Sequence, residues 1–189
     1  MKLLPALAAV VCAAAAASAS APAAPRARTV FYDGDSLAVG TLLFLPSDLH
    51  GWSLRRSVSV SRHAYDGVVP VQDRGSALER VLVVDLGTND DPTQVSRFGR
   101  AVRQILAAAG PDRCVIWATI HRPPYHGISW AAYNRTLRSL AARYDTLHVF
   151  DWAAMARAHP SWFGADGVHP NVSGYKARAA ALARLIKGC

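Results

Sequence analysis

Apolar residues fall into short continuous runs that alternate with longer periodic ones. Val81-Leu82-Val83-Val84-Asp85-Leu86 is nearly all apolar and is followed by Gly87, the pattern of a strand buried on both faces. Arg28 to Tyr32, Cys114 to Ile120 and Leu147 to Asp151 read as strands too, and Ser57 to Ser61 alternates strictly as a shorter one. Between them, Val95, Phe98, Val102, Ile105 and Leu106 recur at helical spacing. Pro92 suits the first turn of that helix, and Gly110-Pro111 stops it. Ile128 to Tyr144 is helical, with Ala132, Leu137, Leu140 and Ala141 on the inner face. Leu37 to Leu49 starts as helix and ends as loop, and Tyr65 to Ala77, with Gly67, Pro70 and Gly75, reads mostly as loop. A short helix over Trp152 to Ala158, a loop from His159 to Pro170 and a helix from Val172 to Ile186 complete the chain. Five strands alternating with about five helices predict an α/β fold: a flavodoxin-like three-layer α/β/α sandwich on a five-stranded parallel sheet.

The first residues follow a different pattern. Lys2 is a minimal positive start, Leu3 to Ala17 is apolar apart from Pro5, and Ala17-Ser18-Ala19 fits a small-x-small cleavage site. Residues 1–19 therefore read as a signal peptide, 20–27 as a flexible Ala/Pro leader and 28–189 as one domain, free-standing and without a membrane partner. The apolar run is too short and alanine-rich for a stable membrane span, and Val11 before Cys12 argues against a lipoprotein signal. Export leaves Cys114 and Cys189 in an oxidising compartment, where they form one disulfide or stay as two small buried thiols.

The 189 residues carry 21 Lys and Arg against 13 Asp and Glu, a net charge of +8. The arginines are scattered, with no basic stripe interleaved with aromatics, which speaks against nucleic acid as a partner; attraction to an acidic surface polymer remains. His50, His63, His126, His148 and His159 show no metal-ligand spacing, so no metal or cofactor is expected. A monomer is the expected state.

In an open α/β sheet, sites form at the carboxyl ends of the strands. Strand one leads into Gly34-Asp35-Ser36, which puts a serine hydroxyl at a helix N-terminus, whether as a nucleophile or as an ordinary cap. Strand two leads into Ser61-Arg62-His63, strand three into Gly87-Thr88-Asn89-Asp90, and strand four into His121-Arg122. Before the last helix comes Asp166-Gly167-Val168-His169. A carboxylate three residues from an imidazole on a tight turn can hold Nδ1 and leave Nε2 for the serine. Either residue alone is equally a loop residue. Asn89 can donate an amide N–H where an oxyanion would form, or simply shape a turn.

Taken together, Gly34-Asp35-Ser36-Leu37, Gly87-Thr88-Asn89-Asp90 and Asp166-Gly167-Val168-His169 resemble the three motif blocks of the SGNH (GDSL-type) hydrolase superfamily, in order along the domain. The resemblance implies a nucleophile Ser36, a base His169 and an orienting Asp166. It also implies an oxyanion hole built from the Ser36 N–H, a glycine N–H after strand two and the Asn89 amide. That glycine is missing: Ser61 stands in its place, with Gly67 as the rival position. The stretch from Asp151-Trp152 through Trp162-Phe163 to His169 is similar to the extracytoplasmic SGNH domains that move O-acetyl groups onto polysaccharide or peptidoglycan. Asp35, Arg62, His121, Arg122 and Trp162 are the further candidates for contacting substrate. The reading is a secreted serine esterase acting on a small ester or an acylated glycan, with an O-acetyltransferase or a non-catalytic glycan-binding module as alternatives.

Overall fold

The computed structural model describes residues 27–189; the proposed signal peptide and nearly all of the leader lie outside them. Five parallel strands stand in the order β2-β1-β3-β4-β5: β1 Thr29–Gly34, β2 Ser53–Val58, β3 Val81–Asp85, β4 Cys114–Ala118 and β5 Leu147–Phe150. This is the flavodoxin-like strand order. Seven α-helices pack on it: α1 Ser36–Thr41, α2 Leu45–Asp48, α3 Val68–Arg74, α4 Val95–Ala109, α5 Ala131–Ala141, α6 Trp152–Ala158 and α7 Val172–Gly188.

Strand side chains alternate between two cores, as the pleat requires. Phe31, Leu82, Val84, Val115, Trp117 and Leu147 face one side and meet α3, α4 and α5. Val30, Tyr32, Val81, Val83, Ile116 and Phe150 face the other and meet α2, α6 and α7. Both faces are covered, so the inner strands are mostly apolar, with the buried Asp33 and Asp85 at their carboxyl ends.

Four elements depart from the pattern read above, one of them the short helix α2, which forms where residues 37–49 read as ending in loop. The second strand runs Ser53–Val58, so the Ser/Val alternation of 57–61 covers only its end; Val60 is exposed and Ser61 turns with φ +59°. The periodicity misled because β2 is an edge strand, which tolerates Arg55 and Arg56 where a central strand would not. The loop read over 65–77 contains α3. Pro70 is compatible with it because it sits in the first turn, where the N–H has no intrahelical acceptor. Pro92 lies in a turn ahead of α4, where the Asp91 carboxylate accepts from Thr93 N–H and Oγ1–H, and the helix starts at Val95.

Cys114 and Cys189 form a disulfide that ties the start of β4 to the end of α7. Among the described residues no helix is long and apolar enough to cross a membrane.

Candidate active site

β1 ends at Gly34, and the chain enters α1 through Asp35. The Asp35 N–H donates to the Asp85 carbonyl at 3.1 Å, which ties the turn to β3. Its Oδ1 accepts from the Leu37 N–H at 2.9 Å, the bond of a helix N-cap. A Cβ on Gly34 would collide with the Ala38 side chain and crowd Asp85, so only glycine lets the first turn of α1 fold back onto β3. Ser36 is thereby half-exposed at the carboxyl edge of the sheet.

The Ser36 hydroxyl lies 2.8 Å from His169 Nε2, and His169 Nδ1 lies 2.7 Å from Asp166 Oδ2. Two side chains 133 positions apart in sequence thus meet, because the turn before α7 comes over the end of β1. Asp166 Oδ1 accepts from the N–H groups of Val168 and His169, at 3.0 and 3.2 Å. The Val168 N–H, followed by the His169 ring, holds the Asp166 carboxyl below its ordinary pKa. An ionised carboxylate only accepts, so its bond to Nδ1 favours the tautomer with the proton there and with an unprotonated Nε2 facing the Ser36 hydroxyl.

The Asn89 amide nitrogen donates to Asp35 Oδ2 at 3.2 Å and to the Arg62 carbonyl at 3.3 Å. Both bonds are long and readily exchanged for a shorter bond to an anion. Ser61 takes the left-handed backbone that glycine adopts most cheaply, and its N–H, like that of Ser36, takes no part in the turn and cap bonds of this region. The rival Gly67 instead caps α3, packed so closely on Asp33 and Leu86 that a Cβ there would clash.

Two cavities of about 350 Å³ each open along this edge. One is bordered by Asp166, Val168, His169 and Pro123, the other by His63, Asp90, Asp91 and Trp130; Asn89, Arg122 and Tyr125 border both. The five further substrate-contact candidates separate here. Arg122 lies in the crevice. Asp35 is wholly buried and works as a cap; burial, reinforced by Asp85, pushes its carboxyl up to about 8. Arg62 turns to the buried Asp33, donating at 2.5 Å, and to the Ser57 carbonyl at 2.7 Å. Trp162, partly buried, stacks on His159 and Trp152 and packs against the core beside α6 and α7. His121 packs on Phe163, and burial, with Arg157 nearby, lowers its pKa.

Two groupings escaped the sequence reading. His63 Nδ1 sits 3.1 Å from Asp90 Oδ1, a second imidazole–carboxylate pair on the crevice wall. Behind the Ser36 turn, the buried Arg178 meets Asp85, Tyr32 and Thr41. A lone acid in the apolar run Val81–Leu86 was the available signal for the latter. Among the described residues one group of possible metal donors gathers, Cys114, His148 and Cys189, and its two sulfurs are bonded to each other.

Comparison with known proteins agrees with this architecture. The chain is similar to the peptidoglycan O-acetyltransferase A C-terminal catalytic domain of Streptococcus pneumoniae, at 21% identity and a TM-score of 0.69, covering 87% of this chain and 93% of that one. It is similar to the family 3 carbohydrate esterase of Clostridium thermocellum, at 12% identity and a TM-score of 0.65, covering 86% and 98%. It is also similar to the psychrotrophic esterase EstA of a Pseudoalteromonas species, at 14% identity and a TM-score of 0.59, covering 85% and 94%. No curated protein sequence matches it. The GDSL-like lipase/acylhydrolase family matches over residues 34–177, which takes in the Ser36 turn and the Asp166–His169 turn, and the chain belongs to that family of serine hydrolases.

Proposed function

We propose that the chain is a secreted serine esterase that removes short acyl groups, acetyl foremost, from O-acyl esters through an acyl-enzyme. The observation that carries this reading is the bonded series Ser36–His169–Asp166, at 2.8 and 2.7 Å. His169 Nε2 takes the hydroxyl proton as Ser36 Oγ attacks the ester carbonyl, and Asp166 stabilises the imidazolium. The tetrahedral oxyanion is received by the N–H groups of Ser36 and Ser61 and by the Asn89 amide, which leaves its long bonds for a charged acceptor. His169 then protonates the departing alcohol. Water, deprotonated by the same imidazole, attacks the acyl-enzyme and regenerates Ser36. This chemistry needs no metal or cofactor.

Ser36→Ala tests it: turnover of 4-nitrophenyl acetate and labelling by a fluorophosphonate should both vanish while the melting temperature holds. Full activity in that variant would refute the assignment, and a wild-type chain that neither labels nor turns over would be a binding module. Likeness to an O-acetyltransferase domain supports a second reading, in which a sugar hydroxyl replaces water in the last step. Incubation with an acetyl donor and a glycan, scoring acetylated glycan against free acetate, separates the two. Secretion is supported by the leader pattern of residues 1–19 and is tested by sequencing the N-terminus of the exported protein.

A further inference from the structure

We propose that Arg122 is a specificity-determining residue, the anchor for a carboxylate carried by the ester substrate; this rests on the reading of the Ser36 site given above. Arg122 borders both halves of the crevice, together with Asn89 and Tyr125. It is held in place: Nη1 donates to the Thr88 carbonyl at 2.6 Å, and the guanidinium lies 5.4 Å from the centre of the Trp130 ring. A cation fixed in this way gives up little freedom when it binds.

What it lacks is an anion. No carboxylate of the described residues forms an ion pair with Arg122, although three acids border the same crevice. Each of them is committed elsewhere. Asp166 is bonded to His169 and Val168, Asp90 to His63 and the Ala64 N–H, and Asp91 to Thr93. The remaining guanidinium N–H groups can meet a carboxylate through two parallel bonds, the geometry that favours arginine over lysine. The net charge of +8 on the chain favours the approach of anionic substrates to the protein as a whole.

The carboxylate can sit on either part of the ester. His169 protonates the departing alcohol, so an alcohol-borne carboxylate approaches Arg122 from the cavity that His169 borders. An acyl-borne one approaches from the cavity that His63 borders.

Two matched pairs of esters separate these cases. 3-Acetoxybenzoate against its methyl ester varies charge on the alcohol side, and monoethyl succinate against ethyl butyrate varies it on the acyl side. The readout is the ratio of kcat/KM, charged over neutral, in wild type, Arg122→Gln and Arg122→Lys, so that intrinsic differences between the esters cancel. For one pair, the glutamine variant should lower the ratio about 10- to 100-fold, the range for a hydrogen-bonded charge, with lysine falling between glutamine and wild type. Fluorophosphonate labelling of both variants reports that the site is intact. Labelled, active enzymes with the same ratios in all three forms would overturn the role of Arg122 alone. A wild type that neither labels nor turns over would overturn the Ser36 reading, and this proposal with it.

Discussion

Arg178 donates to Asp85 at 2.8 Å across 93 positions of sequence, and both side chains are buried. The same guanidinium donates to Thr41 Oγ1 at 2.9 Å and to the Tyr32 hydroxyl at 3.3 Å, and Tyr32 in turn donates to Asp85 at 3.0 Å. The Trp152 ring lies 4.8 Å from the guanidinium. One residue of α7 therefore fastens β1, β3 and α1 together beneath the turn that presents Ser36. Removing the cation alone strands a buried carboxylate, which costs about 3–5 kcal/mol, whereas replacing both partners by neutral groups costs less. Urea unfolding should show a large loss for Arg178→Met and partial recovery in Arg178→Met/Asp85→Asn.

Asn89 is expected to act in the transition state and little before it. Its amide makes two long bonds in the free protein, to Asp35 and the Arg62 carbonyl, and a developing oxyanion offers a stronger acceptor. Asn89→Ala should lower kcat on 4-nitrophenyl acetate by about 10²- to 10³-fold with KM and melting temperature nearly unchanged. Steady-state kinetics read this directly. A loss confined to KM would assign Asn89 to ground-state binding instead.

Asp33 gives the fold a pH dependence with a definite sign. Burial pushes its carboxyl up to about 7, and the ion pair with Arg62 only partly offsets this. Unfolded, the same group ionises near pH ~3.9. Between those values the folded chain holds a proton that the unfolded chain has released, so this residue's contribution falls as pH rises, by about 1.4 kcal/mol per pH unit, and levels off above the folded pKa. Below the unfolded pKa both states are protonated and the slope disappears. Unfolding free energies measured from pH 4.5 to 6.5 should show a less negative slope in Asp33→Asn than in wild type.

The Cys114–Cys189 bond closes a loop across 75 positions. Loop-closure entropy for that length predicts a stabilisation of about 4.5 kcal/mol over the open chain. Cys114→Ala/Cys189→Ala should therefore unfold at lower urea. Esterase activity at 25 °C should persist as long as the domain stays folded, because neither sulfur borders the crevice.

Much of this was legible in the chain itself. A continuous apolar run located β3, because a strand covered on both faces needs apolar side chains on both, and shorter apolar or β-prone runs located β1, β4 and β5. The limits of α6 followed from sequence exactly as they stand in the structure, and α4, α5 and α7 were recognisable to within a few residues. The edge strand β2 was misplaced because most of its side chains are open to water and its pattern is correspondingly weak. Helix α3 went unrecognised because Pro70 and two glycines look like loop when the position of the proline in the first turn is unknown. Ser36, Asp166 and His169 were suggested by short local motifs. The roles of Arg62, Asp35 and Trp162 were not, since nothing in their neighbours says which way each side chain turns.

Residue order alone determined the class of fold and the three segments that hold the candidate site residues, because periodicity and turn-forming motifs act over a few neighbouring positions. Tertiary structure decided what those segments do to one another. It brought His169 within 2.8 Å of Ser36, sent Arg62 to Asp33, buried Arg178 under the Ser36 turn and left Arg122, among the described residues, without a carboxylate partner. Distances and desolvation between residues far apart in the chain set those outcomes, and both exist only once the sheet has formed and the helices have closed over it.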